Sequence, residues 1–126
     1  MRREMTQENV PEIHQVIRSL TDWLGPSLLG EMCGMPGAAP LKRWLVAPPN
    51  VEDEAKLRTG YEVFQILRKA EGVDIARAWM IGMNPHLENH NGGDYPDGCP
   101  TTEIGLGYGG DVLAAARAYV QDPSVT

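Results

Sequence analysis

Aromatic side chains are scarce in this 126-residue chain: one Phe, four Tyr and three Trp. A core with so few rings has to be filled by aliphatic residues and by methionine, and a hydrophobic fraction of 42% is enough to build one. Cysteine is scarcer still. Cys33 and Cys99 stand 66 residues apart with no CxxC spacing, which excludes a disulfide scaffold or a zinc framework and leaves reduced thiols as the expectation. No apolar run approaches the ~18 residues of a membrane span. The N-terminal MRREMTQENV has no apolar stretch after its arginines, so it does not read as a secretory signal. A cytoplasmic, soluble protein without a membrane partner is expected. Basic charge is also in deficit, 11 Lys and Arg against 17 Asp and Glu, and a net charge of -6 excludes non-specific nucleic-acid affinity for the chain as a whole.

What is present is unevenly spread. Residues 1–25 sum to -1, residues 26–70 to +1 and residues 71–126 to -6, so the last part holds the excess acid. Apolar residues recur at helical spacing almost throughout. Ile13, Val16, Ile17, Leu20, Trp23 and Leu24 form a stripe over Pro11–Leu24 that Gly25-Pro26 stops. A short helix over Ser27–Cys33 follows, then a Pro36-Gly37 turn and a third helix over Ala39–Val46 with Leu41, Trp44 and Leu45 on one face. After Pro48-Pro49-Asn50 comes the longest run, Val51–Ala70, with a stripe of Ala55, Leu57, Tyr61, Phe64, Ile66 and Leu67. Its acids lie at the start and Arg68 and Lys69 at the end, as the helix dipole favours. Val73–Met83 reads as another helix, ENHNGGDYPDGCP as a loop, Thr101 or Thr102 as the cap of a short helix, and Asp111 as the cap of the last one. No strand with a period of two is visible. The expected fold is all-α: an N-terminal helical bundle and long central helix over residues 9–70, then a small helical part over residues 71–121.

Several patterns carry chemistry. Two short helices joined by a tight turn after a longer helix read either as an αα-corner or as a helix-turn-helix. In the second reading Lys42 and Arg43 project toward phosphates, and Ala38 and Ala39 at the tip offer at most a contact to a thymine methyl, so specificity would be slight and affinity salt-sensitive. Arg2 and Arg3 are the other basic candidates. His86, His90 and Cys99 could be drawn as a metal site, and H-x3-H would suit a helix, but Pro85 and the Gly-rich loop argue against a continuous one, and Asp94 and Asp97 lack the calcium-loop spacing. Gly105, Gly107, Gly109 and Gly110 follow no strand and precede no Lys, which excludes a phosphate loop. Nothing marks a catalytic residue, and neither an enzyme nor a cofactor is expected. The stretch ARAWMIGMNPHL supports two readings: Ile75, Trp79, Met80 and Met83 as core, or a Trp and its methionines as an adaptable protein-binding surface.

GEMCGMPGAAPLKRW, KLRTGYEVFQIL, ARAWMIGMNPHL and GGDVLAAARAYV together resemble the Xre/MbcA/ParS antitoxin family over roughly residues 9–121, most specifically in the string R-A-W-x-x-G-x-N-P-x-L of residues 77–87. The resemblance implies an all-α dimer with a DNA-binding helix-turn-helix part and a toxin-binding C-terminal part. It implies a partner toxin of the RES-domain class, which consumes NAD or transfers ADP-ribose from it, and operator DNA as a second partner. By position, Lys42 and Arg43 fall on the DNA-facing helix, and Arg77, Trp79, Asn84, Pro85 and Leu87 on the toxin-binding string. Met80 and Met83, inside that string, are expected to supply apolar contact if they are not buried, and Tyr119 falls on the terminal helix. A stand-alone helix-turn-helix regulator without a toxin is the alternative. Two departures from the family pattern lie in the C-terminal part: a longer loop over residues 88–98, and TTEIGLGYGG without basic residues before the D-V-L run.

Overall fold

The computed structural model describes residues 11–35, 37–94 and 96–121; Arg2, Arg3, Pro36 and Tyr95 lie outside the described residues. Helix α1 (Ile13–Leu24) starts where the Glu12 carboxylate accepts the His14 N–H at 3.1 Å, and buries Val16, Ile17 and Leu20. Helices α2 (Pro26–Met32) and α3 (Ala39–Trp44) are short, each with a proline in the first turn, where its missing N–H costs nothing. Helix α4 (Val51–Glu71) is capped by Asn50, whose Oδ1 accepts the Asp53 N–H at 2.7 Å. Gly72, at φ 94°, ends it and turns the chain into α5 (Val73–Ile81). That φ lies in the region which only glycine adopts without strain. Helices α6 (Pro100–Gly105) and α7 (Gly109–Gln121) complete the chain.

Between α5 and α6 the expectation of an unbroken all-α chain fails locally. Asn84–Glu88 forms β1 and Asp97–Gly98 forms β2, an antiparallel pair whose register is irregular between Asn84 and Glu88. The sequence signal was weak for physical reasons. Asn84 and Leu87 are the buried positions of β1, which is not an alternating pattern, and β2 has only two residues. Two expected caps also shift. Cys99 is the N-cap of α6 without a side-chain bond, because both threonines are used elsewhere. Thr101 Oγ1 donates to the Met80 carbonyl at 2.7 Å, and the Thr102 hydroxyl to the Glu31 carboxylate. Asp111 stands in the first turn of α7, which begins three residues earlier than expected.

Helix α4 is the hub, packing against α1, α2, α5, α6 and α7. Its buried stripe is Leu57, Gly60, Val63, Phe64 and Leu67. Ala55, expected inside, faces solvent, and Ile66 is half-buried. The scarce aromatics are concentrated here: Trp23 of α1 stacks on Phe64 at 4.6 Å and on Tyr61 at 5.7 Å, with the Arg68 guanidinium 5.4 Å from its ring centre. The C-terminal helices share this core through Ala76, Met80, Ile104, Val112 and Ala116. Helix α6 also lies directly on α2, with Gly105 at the contact. A Cβ there would collide with the Glu31 carbonyl oxygen and meet the Gly34 nitrogen at 3.1 Å, both backbone atoms that cannot swing away. Gly110, by contrast, faces open space. Gly105→Ala is expected to destabilise the fold by ~1–3 kcal/mol through overpacking. Gly110→Ala should leave stability unchanged or raise it by up to ~1 kcal/mol. Urea unfolding of the two variants checks the contrast.

Candidate functional site

Lys42 and Arg43 both project from α3 into solvent, with Ala38 and Ala39 exposed at its start. Arg43 Nη2 lies 3.0 Å from the Met35 sulfur, which holds its stem against the turn, while Lys42 makes no ion pair among the described residues. The helix itself is anchored by Trp44 and Pro40, both buried. Gly30 makes the turn possible, since a Cβ there would run into the carbonyls of Met35 and Gly37. Helix α3 ends at Trp44, short of the expected Val46. Pro48 and Pro49 stop it, leaving Leu45 at 82% and Val46 at 90% exposure, beside Val51 at 86%. Leu45 was expected on the inner face with Leu41 and Trp44; it is outside. It lines, with Leu41, Trp44, Ile17 and Thr21, a shallow apolar groove of about 270 Å³ between α1 and the end of α3.

The string of residues 77–87 is divided between core and surface. Met80 is fully buried, Asn84 is 5% exposed and Leu87 is 3% exposed, so these three shape the surface from beneath and do not reach a partner. That corrects their assignment as contact residues. Met80 packs inward because α5 turns that side toward the shared core, and Asn84 is sequestered because its Oδ1 accepts the His86 N–H at 2.8 Å and fixes the entry into β1. Arg77 is tied down as well: its Nε donates to the Trp23 carbonyl at 2.8 Å and its Nη1 lies 3.5 Å from Asp74. Trp79 and Tyr119 are half-buried and lie ring to ring at 6.3 Å; the Trp79 Nε1–H is buried and finds no acceptor among the described residues. What remains outward is Met83, 54% exposed, and Pro85. They are joined by two residues that pattern alone did not mark as surface, Ile75 at 44% and Ile81 at 49% exposure. An isoleucine at helical spacing reads as core, so no sequence signal separated these from Met80.

A second cluster was missed altogether. Glu103, in the first turn of α6, is 1% exposed, although an acid there would ordinarily be solvated. Its Oε1 lies 2.7 Å from His90 Nδ1, and its Oε2 accepts the His90 backbone N–H at 3.2 Å. His90 stacks on Tyr108 at 3.7 Å and sits 3.8 Å from Glu88. His86, Glu88, His90, Glu103 and Asp111 line one cleft of about 440 Å³, walled by the alanines of α7. Among the described residues no group of three His, Cys, Asp or Glu could hold a metal. Cys33 is inert for a stated reason: burial, then the charge of Asp53, pushes its thiol up to about 12 against the opposing pull of Lys56, so it is not a thiolate near neutrality. The described helices include none long and apolar enough to cross a membrane.

Comparison with family models, with curated proteins and with solved structures finds no match. The site therefore has to be judged on its own geometry. Met80→Ala is expected to cost ~2–5 kcal/mol as a core truncation. Met83→Ala, at a half-exposed position, should stay within ~0.5 kcal/mol. Chemical denaturation of the pair tests whether burial divides the string as described.

Proposed function

We propose that this chain is an antitoxin that binds and blocks a RES-domain toxin, and that its α2–turn–α3 unit is a helix-turn-helix through which it contacts operator DNA. The observation that carries the reading is the outward face of α5 and β1. Ile75, Ile81, Met83 and Pro85 are exposed on the stretch that includes the family-like string, inside the part of the chain that concentrates the acid. Exposed apolar residues in an acidic part of the chain suit a protein partner with a basic, partly apolar pocket. Glu71, Asp74, Glu88, Asp94 and Asp111 are all exposed, so this charge is available for steering. A toxin that binds the pyrophosphate of NAD needs such an electropositive pocket, and obstruction of its entrance would inhibit without catalysis. The stand-alone regulator is the second reading. It rests on the exposure of Lys42 and Arg43 alone and needs no partner for the α5 face.

Co-expression with the RES-domain protein encoded beside it tests the first reading. A stable complex and restored growth of toxin-arrested cells are expected. The double variant Ile81→Asp/Met83→Asp should keep its fold by circular dichroism and weaken the complex by at least ~30-fold, the loss of ~2 kcal/mol typical of an interface centre. Soluble proteins that neither associate nor rescue growth would remove the antitoxin. Lys42→Ala/Arg43→Ala should lower DNA affinity about equally for all sequences and reduce the salt slope by ~1 per lost phosphate contact. An unchanged salt slope would remove α3 as the DNA-facing element. Salt-sensitive DNA binding in the absence of any toxin association would leave the regulator as the reading.

A further inference from the structure

The buried pair of Glu103 and His90 joins two elements that nothing else requires to be joined by charge. Glu103 belongs to α6, whereas His90 follows β1. The hairpin is what buries the carboxylate. Besides the two contacts from His90, β2 lies against it: a Cβ on Gly98 would stand 2.9 Å from Glu103 Cγ and 2.8 Å from the Glu88 carbonyl oxygen, so only glycine lets the strand approach this closely. The two strands pair in an irregular register, and beyond them the Asn89 N–H donates to the Pro96 carbonyl at 3.1 Å. We propose that the β1–β2 hairpin, through His90 and Gly98, is a pH-dependent cover over the Glu103 carboxylate, closed with His90 protonated and loosened when His90 is neutral.

The groups around His90 set the direction. Glu103 faces it from α6, Glu88 from β1 and Asp111 from the first turn of α7, with the Tyr108 ring stacked on its plane and His86 across the cleft. Three acids and no Lys or Arg surround one imidazole, 26% exposed. The hydrogen bond to Glu103 holds the His90 pKa above its ordinary 6.5, against the desolvation that lowers it, and the charges of Glu103, Glu88 and Asp111 add to the rise. A raised value means that closure is fully favoured below the open-state value and is lost as pH climbs through the closed-state value. Above that point the 1%-exposed Glu103 loses its charged partner, with Glu88 and Asp111 nearby. Parting of the hairpin lets water reach the buried carboxylate and removes the desolvation penalty. The device is independent of the partner that the α5 face binds.

The His90 backbone amide is a direct reporter, because its acceptor is Glu103 itself. Amide-exchange protection at His90 and Asn89, corrected for intrinsic rates, should be highest on the acid side and fall through one sigmoidal step as pH climbs from the ordinary imidazole range through the raised closed-state value. Linkage fixes the size of the step. The fold-change in the closing equilibrium equals the ratio of the His90 acid constants in the open and closed states, and imidazole titration by NMR reads the closed-state constant independently. His90→Gln retains a donor for Glu103 but cannot charge, so the step should vanish while protection in α4 is unchanged. Glu103→Gln should return the His90 titration toward its ordinary range and also abolish the step. Protection at His90 that is flat across this range in the intact protein would overturn the proposal, as would the same step persisting in His90→Gln.

Discussion

The buried face of α4 is the constraint from which the other positions follow. Its stripe of Leu57, Gly60, Val63, Phe64 and Leu67 meets five of the six other described helices, so each must present a complementary face to the same 21-residue rod. The stacking of Trp23 on Phe64 fixes α1, and Met32 fixes α2, with its sulfur lying where Gly60 has no side chain. The C-terminal part has only two separate ring pairs among the described residues, Trp79 with Tyr119 and His90 with Tyr108, a slight basis for an independent unit. Helices α5 and α7 therefore complete the core begun by the first half, and residues 71–121 share one hydrophobic cluster with residues 11–70.

A shared core has consequences for how the two candidate surfaces relate. Helix α6 touches α2 through Gly105, through Thr102 on Glu31, and through Lys56 of α4, whose Nζ donates to the Gly105 carbonyl at 2.9 Å. On its other side α6 carries Thr101, bonded to the end of α5, and Glu103, bonded to His90. One six-residue helix thus contacts the helix that precedes the α3 turn, the helix that bears Ile75 and Ile81, and the hairpin. Backbone carbonyls and glycines make much of this contact, and such close-packed surfaces transmit displacement with little give.

Much of this organisation was legible in the residues, and the failures have a common cause. Helix positions and stops were readable because period, proline and glycine act locally: Gly25 and Gly72 end α1 and α4 where the pattern breaks. Whether a given apolar residue faced in or out was not readable, because that depends on which neighbour a helix meets. Met80 and Met83 differ by three residues and by the whole range from core to surface, and Leu45 lies outside although it lines the same groove as Leu41 and Trp44. The β1–β2 pair, the burial of Glu103 and its bond to His90 join residues 13 apart across a segment with a loop composition, where no periodicity could announce them.

The outward apolar residues are not failures of burial but products of the stops themselves. Leu45 and Val46 follow a helix that Pro48 and Pro49 do not allow to continue, so another turn that would have carried them toward α1 is never formed. Met83 lies beyond Ile81, the last residue of α5, where the extended backbone at Gly82 and the Asn84-Pro85 pair divert the chain into β1. In both places the buried cluster ends before them, at Trp44 in one and at Met80 and Leu87 in the other. A long α4 with proline and glycine breaks at both ends therefore produces a filled interior and two separate apolar patches from the same sequence. One patch follows the basic α3, and the other lies in the acidic part of the chain.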